Sequence, residues 1–291
     1  DLHSFPTRRS SDLIKRTGSR CLLLVPLGLI VLLFECVPLV SMFVKAFSEN
    51  GHFSLAQFGT IAHQLVYRTA IINSLWVTLL STAVGLVIDF FLALALYGDH
   101  GRKKTLYLSL LNLTSTFSGV PLTIAFITMM GTSGVLVLLG KQLGISLLAN
   151  YNLYSMTGMF IIYAYFQIPM GTLLLLPTVD KVRREWKEAA RLMNAGSIRF
   201  WLQVGIPVMM PGILGTFNML FANAVAAYAT PYLLINNSIA LLPIKIVDMF
   251  VGDTRQRPEL GSALSLVLLG IVVLEICLSN LVKRHFEKGN R

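Results

Sequence analysis

The chain has 291 residues, of which 55% are hydrophobic and only 13% charged, with a mean hydropathy of +0.69; this excludes an ordinary soluble domain, where charged residues run at about 25%. Its net charge of +10 does not call for nucleic acid as a partner, because most of the basic excess sits beside long apolar runs and membrane topology accounts for it. Cys21, Cys36 and Cys277 lie in apolar segments without paired spacing, and the histidines are scattered, so neither a disulfide framework nor a metal site is suggested.

Residues 1–13 share neither the pattern nor the composition of the rest of the chain and look like translated adapter sequence; they are set aside as a non-native leader. Residues 14–66 read as an N-terminal tail, a first apolar span over 21–44 and an external segment. That span is long and has no small-residue cleavage signature after it, so it is read as retained rather than as a signal peptide. A spanning helix needs about 20 mainly apolar residues, and five further runs qualify at 71–97, 106–130, 153–176, 208–235 and 260–282. The prediction is an all-α membrane protein with six transmembrane helices, its main domain covering 67–282 and a basic tail at 283–291.

Lys and Arg concentrate on the cytoplasmic side of membrane proteins. With both ends inside, the cytoplasmic segments hold Lys15, Arg16 and Arg20; Arg102, Lys103 and Lys104; the basic residues between the fourth and fifth spans; and Lys283, Arg284, Lys288 and Arg291. Outside remain only Lys45, Arg68, Lys141, Lys245, Arg255 and Arg257. The polar insert between spans four and five therefore faces the cytoplasm.

That insert has a helical pattern of its own. Val182, Trp186, Ala189, Ala190 and Met193 recur as one apolar face, while Arg184, Glu188 and Arg191 line another. Asn194 is suited to the left-handed backbone of a turn, and Gly196 gives that turn further freedom. Ser197 is the expected N-cap of a second helix, with Ile198, Trp201, Leu202 and Gly205 on its apolar face until Pro207 interrupts the hydrogen-bond ladder. Two readings compete: a docking surface, or a solvated positive-inside loop in which Glu188 pairs with Arg184 or Arg191. A DNA-reading helix-turn-helix would also use these cations, but the membrane context argues against it.

Glu188, Ala189 and Ala190, then Asn194, then Val204, Ile206 and Pro207 keep the spacing of a known pattern: Glu-Ala-Ala, three residues, Gly, nine residues, Ile-x-Leu-Pro. The insert thus resembles the cytoplasmic EAA loop of ABC-type import permeases, with Val for Ile, Ile for Leu and Asn for Gly. The resemblance runs from about Tyr67 to about Asn280 and includes Asn73, Ser74 and Leu75 at the start of the second span. It implies a permease subunit of an ATP-binding-cassette importer in the bacterial cytoplasmic (inner) membrane, both termini inside, contacting membrane lipid and forming the path for solute. It also implies partners: ATP-binding ATPase subunits gripping a coupling loop of Trp186, Glu188, Ala189, Ala190, Arg191, Asn194, Gly196, Val204, Ile206 and Pro207, a second permease subunit, identical or homologous, and an extracytoplasmic solute-binding protein. The apolar face would either fill a cleft on the ATPase or brace the loop against its own spans.

No cofactor is expected in this chain, and it is read as a transport subunit rather than an enzyme, with ATP and magnesium on partner subunits. The nearest approach to a P-loop, Gly134 to Gln142, has one residue too many between its glycines and Gln where Ser or Thr should hold magnesium. Leu242, Pro243 and Ile244, followed by Gly252, Asp253 and the run 259–264, look most like the spermidine/putrescine, ferric iron and aminoethylphosphonate permeases, which implies polyamine-type solutes first and the others as alternatives. Pathway candidates are Gln167, Asn218, Asn223, Tyr228 and Tyr232, because polar groups in lipid turn toward the protein interior. Asn218 and Asn223 do not share a helix face well. The intramembrane acids Glu35, Asp89 and Glu275 are read either as solute contacts or as packing groups. An ion-coupled secondary transporter is the rival reading; a membrane-embedded enzyme would need a motif that is absent.

Overall fold

A computed structural model describes residues 25–49, 51–98, 101–236, 238–251 and 256–289. The leader, Cys21, Gly252, Asp253, Arg255 and the end of the basic tail lie outside the described residues. The fold is helical, with one short antiparallel pair, Ser48–Glu49 against His52–Phe53, after the first span. Six intervals are long and apolar enough to cross a membrane: Val25–Ala46, Leu65–Ala95, Val120–Gln142, Met156–Val179, Ser197–Val225 and Pro258–Arg284.

The third interval needs a different boundary. A continuous helix was expected over 106–130, but the chain forms Arg102–Thr116, breaks, and resumes as Val120–Met130. Three local features cause the break. The hydroxyls of Ser115 and Thr116 bond back to the carbonyls of Asn112 and Leu113, Gly119 adopts φ 68°, and Pro121 has no N–H to give to the ladder. The crossing itself is made by these two pieces. Lys104 lies 3.7 Å from Asp180 at one end of the fourth span, and Gly131 packs beneath the Tyr154 hydroxyl at the other end. The short helices Val135–Gln142 and Ser146–Ala149 follow.

The fifth span is also interrupted. Ile206–Val225 ends at Ala226 and a separate helix, Ala229–Ile235, follows, where one run over 208–235 was expected. Pro207 does not end the second helix of the insert. Ser197–Phe200 passes through a π-turn at Trp201–Gly205 and continues directly into the span. Pro207 falls in the first turn after that π-turn, where its missing N–H costs least.

Spans two and four form the centre. Apart from Tyr67 and Val77, the buried face of span two is made of small or short polar residues, Ala70, Ser74, Thr78, Ser81, Thr82, Gly85, Asp89 and Ala93, which lets the backbones approach. Gly171 on span four lies so close to the Asp89 carboxylate and Leu220 that a Cβ there would collide with both. Two hydrogen bonds cross this seam: Gln167 Nε2 donates to Ser81 Oγ at 3.0 Å and Thr172 Oγ1 to Asp89 Oδ1 at 3.0 Å. Each such bond is worth on average only about 0.6 kcal/mol in a membrane, so close packing of small residues carries most of the adhesion. Span one meets span six but is otherwise bare along its length.

Candidate functional site

The insert begins as Asp180 leaves span four. Arg183 is extended, the first helix runs Arg184–Leu192, and Asn194 stops it at φ 58°. Ala195 N–H donates to the Ala190 carbonyl and Asn194 N–H to the Arg191 carbonyl, both at 2.9 Å. This is a Schellman closure, which satisfies the carbonyls that a helix end leaves open. Two expectations are corrected. Gly196 has φ −66°, which any residue adopts, and it rather than Ser197 is the N-cap of the next helix, with no side-chain cap bond. The backbone turns at Asn194 alone, so Gly196 and Ser197 have no special task.

The apolar stripe is shared between two faces. Val182 is buried and Ala190 half-buried against Val179, Phe200, Trp201 and Met209, so they brace the loop on its own spans. Trp186 and Ala189 are exposed. Leu192 and Met193 are 90% and 83% exposed, and Ile198 and Leu202 join them on the outer surface. Val204 is exposed, and Ile206 and Pro207 are half-buried where the loop enters span five. Glu188 is exposed and forms no ion pair with Arg184 or Arg191; among the described residues the ion pairs are Lys104–Asp180 and Lys245–Asp248. The solvated-loop reading explained Glu188 by such a pair, and that pair is missing.

Sequence reasoning missed the fastening of this loop. Tyr97 Oη donates to the Val182 carbonyl at 2.6 Å, the Arg184 guanidinium donates to the Gly98 carbonyl, and the Tyr97 ring meets Trp201 edge-on at 5.6 Å. Burial pushes the Tyr97 phenol above its usual range, partly opposed by the Arg184 charge. The signal was an aromatic residue at the end of an apolar run followed by glycine: Gly98 takes φ 77°, a conformation glycine adopts freely.

The pathway candidates separate into three places. Asn223 and Tyr228 line a cavity of about 230 Å3 with Ser118, Gly119, Phe166 and Thr230, where the breaks of spans three and five come together. Tyr232 stacks on Tyr228 at 5.1 Å. Gln167 is fully buried on Ser81, outside that cavity. Asn218 faces span six; with its amide turned so that the nitrogen meets acceptors, that nitrogen lies 2.8 Å from Glu275 Oε1 and 2.7 Å from both Ser279 Oγ and the Leu214 carbonyl, of which its two hydrogens serve two at a time. The three acids are dispersed: Glu35 on bare span one, Asp89 in the central seam, Glu275 beside span five. No group of three metal-ligating side chains occurs among the described residues.

Residues 90–291 match the model of a family described as "Binding-protein-dependent transport system inner membrane component". The chain belongs to that family. As an inner membrane component it is a multi-pass protein of the bacterial inner membrane, as its apolar spans require. Among curated proteins it is similar to a putative ferric transport system permease, FbpB 1, of Haemophilus influenzae, 26% identical over 85% of this chain and 39% of that one. It also resembles the thiamine transport permease ThiP of the same organism, 27% identical over 49% of this chain and 26% of the other. A third relative is the sulfoquinovosyl glycerol transport permease SmoH of Agrobacterium fabrum, 24% identical over 88% of this chain and 79% of its own length. The chain thus spans well under half the length of the first two. Among solved structures, a chain of a bacterial ABC transporter importing alginate has the same fold, with TM-score 0.75, 15% identity and coverage of 96% of this chain and 99% of the other.

Proposed function

We propose that this inner membrane component is a permease subunit of an ATP-binding-cassette importer and that separate ATPase subunits grip its insert. One observation carries the reading: a stiff helix-turn-helix, fixed on its inner side to spans two and four, presents Leu192, Met193 and Ile198 outward beside an unpaired Glu188. Apolar groups left bare on a water-facing loop mark a surface that another protein covers. When two ATPase subunits close on ATP and magnesium, the loop moves as a lever and the attached spans tilt. The remaining partners are a second permease, identical or homologous, and an extracytoplasmic solute-binding protein; both termini lie inside.

The cavity at Asn223 and Tyr228 is the proposed solute path. Its position, where two spans lose their helical bonds together, frees backbone polar groups toward the interior, a use of irregular backbone that membranes tolerate only around a cavity. A polyamine-type solute rests on the resemblance at Leu242, Pro243 and Ile244, with ferric iron and aminoethylphosphonate as alternatives. No carboxylate lines this cavity among the described residues, so a polycation would need its charge met on another subunit.

Glu188→Lys tests the coupling. The variant is expected to reach the membrane in normal amount while solute-stimulated ATP hydrolysis in the reconstituted complex falls to the unstimulated level. Normal stimulated hydrolysis would remove the docking reading.

A further inference from the structure

We propose that the cavity between the Tyr97–Gly98 turn and the first helix of the insert binds the phosphate of an anionic phospholipid in the cytoplasmic leaflet. The cavity holds about 250 Å3 and is lined by Tyr97, Gly98, Arg184, Lys187, Glu188 and Arg191. Arg184, Lys187 and Arg191 recur at i, i+3 and i+7, so one helix face turns three cations into one concavity. None of the three has a carboxylate within ion-pair distance among the described residues. Among the described residues Glu188 is the one acid on the lining, facing three cations.

Depth selects the source of the anion. Span two ends at Ala95, just before Tyr97, and span four at Val179, shortly before Arg184. The cavity thus lies beside the ends of both spans, and the proposal places it at the level of the leaflet's phosphates. Tyr97 and Trp201 pack together there as interfacial aromatics do. Basic pockets between spans on the cytoplasmic side suit anionic headgroups, and each cation near the surface strengthens attraction roughly fivefold. Guanidinium and ammonium donors both match phosphate oxygens. An acidic side chain of a partner protein would meet the same cations, and the ATPase proposed to grip the insert is for that reason left out of the test.

The test uses Trp201, which lies against Tyr97 and 6.0 Å from Lys187 Nζ, as the reporter. In the full chain with Trp76→Phe and Trp186→Phe, without ATPase, quenching is measured in phosphatidylcholine vesicles containing phosphatidylglycerol brominated on its upper acyl chain. Brominated phosphatidylcholine is the comparison. Phosphatidylglycerol is expected to quench at a lower mole fraction, and Arg191→Gln to raise the fraction needed roughly fivefold, with the Trp201 emission maximum unchanged as evidence of folding. Arg199→Gln removes the same charge from the second helix, outside the cavity, where Arg199 donates to Gln203 at 3.1 Å; it is expected to leave the preference intact. Equal quenching by both lipids, or equal losses from Arg199→Gln and Arg191→Gln, would overturn the proposal. Abolition of the preference by millimolar inorganic phosphate would assign the cavity to a soluble anion and overturn the lipid. The ATPase is absent throughout, so these outcomes are independent of the docking reading.

Discussion

Asn194 stands where the family pattern has glycine, and its φ of 58° shows what that position requires. An ordinary L residue pays about 1–2 kcal/mol for that conformation, and asparagine pays less because its side chain bonds locally. Asn194→Gly should therefore hold the loop at least as firmly, whereas the β-branched Asn194→Val should loosen it by about 1–2 kcal/mol. Limited trypsin cleavage at Arg191 and Arg199 reads this directly: faster in the valine variant, no faster in the glycine one. The turn could be foreseen because residue type alone reports backbone preference. Gly196 and Ser197 were misjudged for the same reason, since a permissive residue shows what the backbone tolerates and leaves open what it does.

The helices themselves followed from length and hydropathy, but their interruptions did not. A reading by length and mean hydropathy passes over the break inside 106–130, although Asn112, Thr114, Ser115, Thr116, Ser118, Gly119 and Pro121 crowd there as turn-forming residues. Between Val225 and Ala229 the run stays apolar, and that break is visible only in hydrogen bonding. Conversely, Pro207 signalled an end that the π-turn at Trp201–Gly205 avoids. Pairing between helices was beyond reach, because the small residues of span two gain meaning only opposite Gly171. That contact gives a sharp expectation. Gly171→Val would drive side-chain atoms into Asp89 and Leu220 and should cost about 1–3 kcal/mol, lowering the thermal midpoint in detergent. Gly270→Val, where a Cβ meets nothing within 4 Å, should change it little.

Orientation belongs to the molecule as a whole and was read from basic residues alone. In a background with Cys21, Cys36 and Cys277 replaced, Met193→Cys should resist an impermeant maleimide in intact cells and react in inverted vesicles, and Leu147→Cys should do the reverse. Both side chains are open, at 83% and 77% exposure, so access rather than burial decides the result. The helix-turn-helix form of the insert was legible in its spacing; its anchorage was not, because Tyr97 and Val182 are far apart in sequence and nothing local pairs them. That anchorage has a mechanical corollary. Tyr97 and Arg184 clasp the loop to the turn after span two, while Lys104 and Asp180 tie the start of span three to the end of span four. Force applied to the insert is thus divided over three membrane helices at the ends beside it, and none of them can swing by itself while both clasps stay shut.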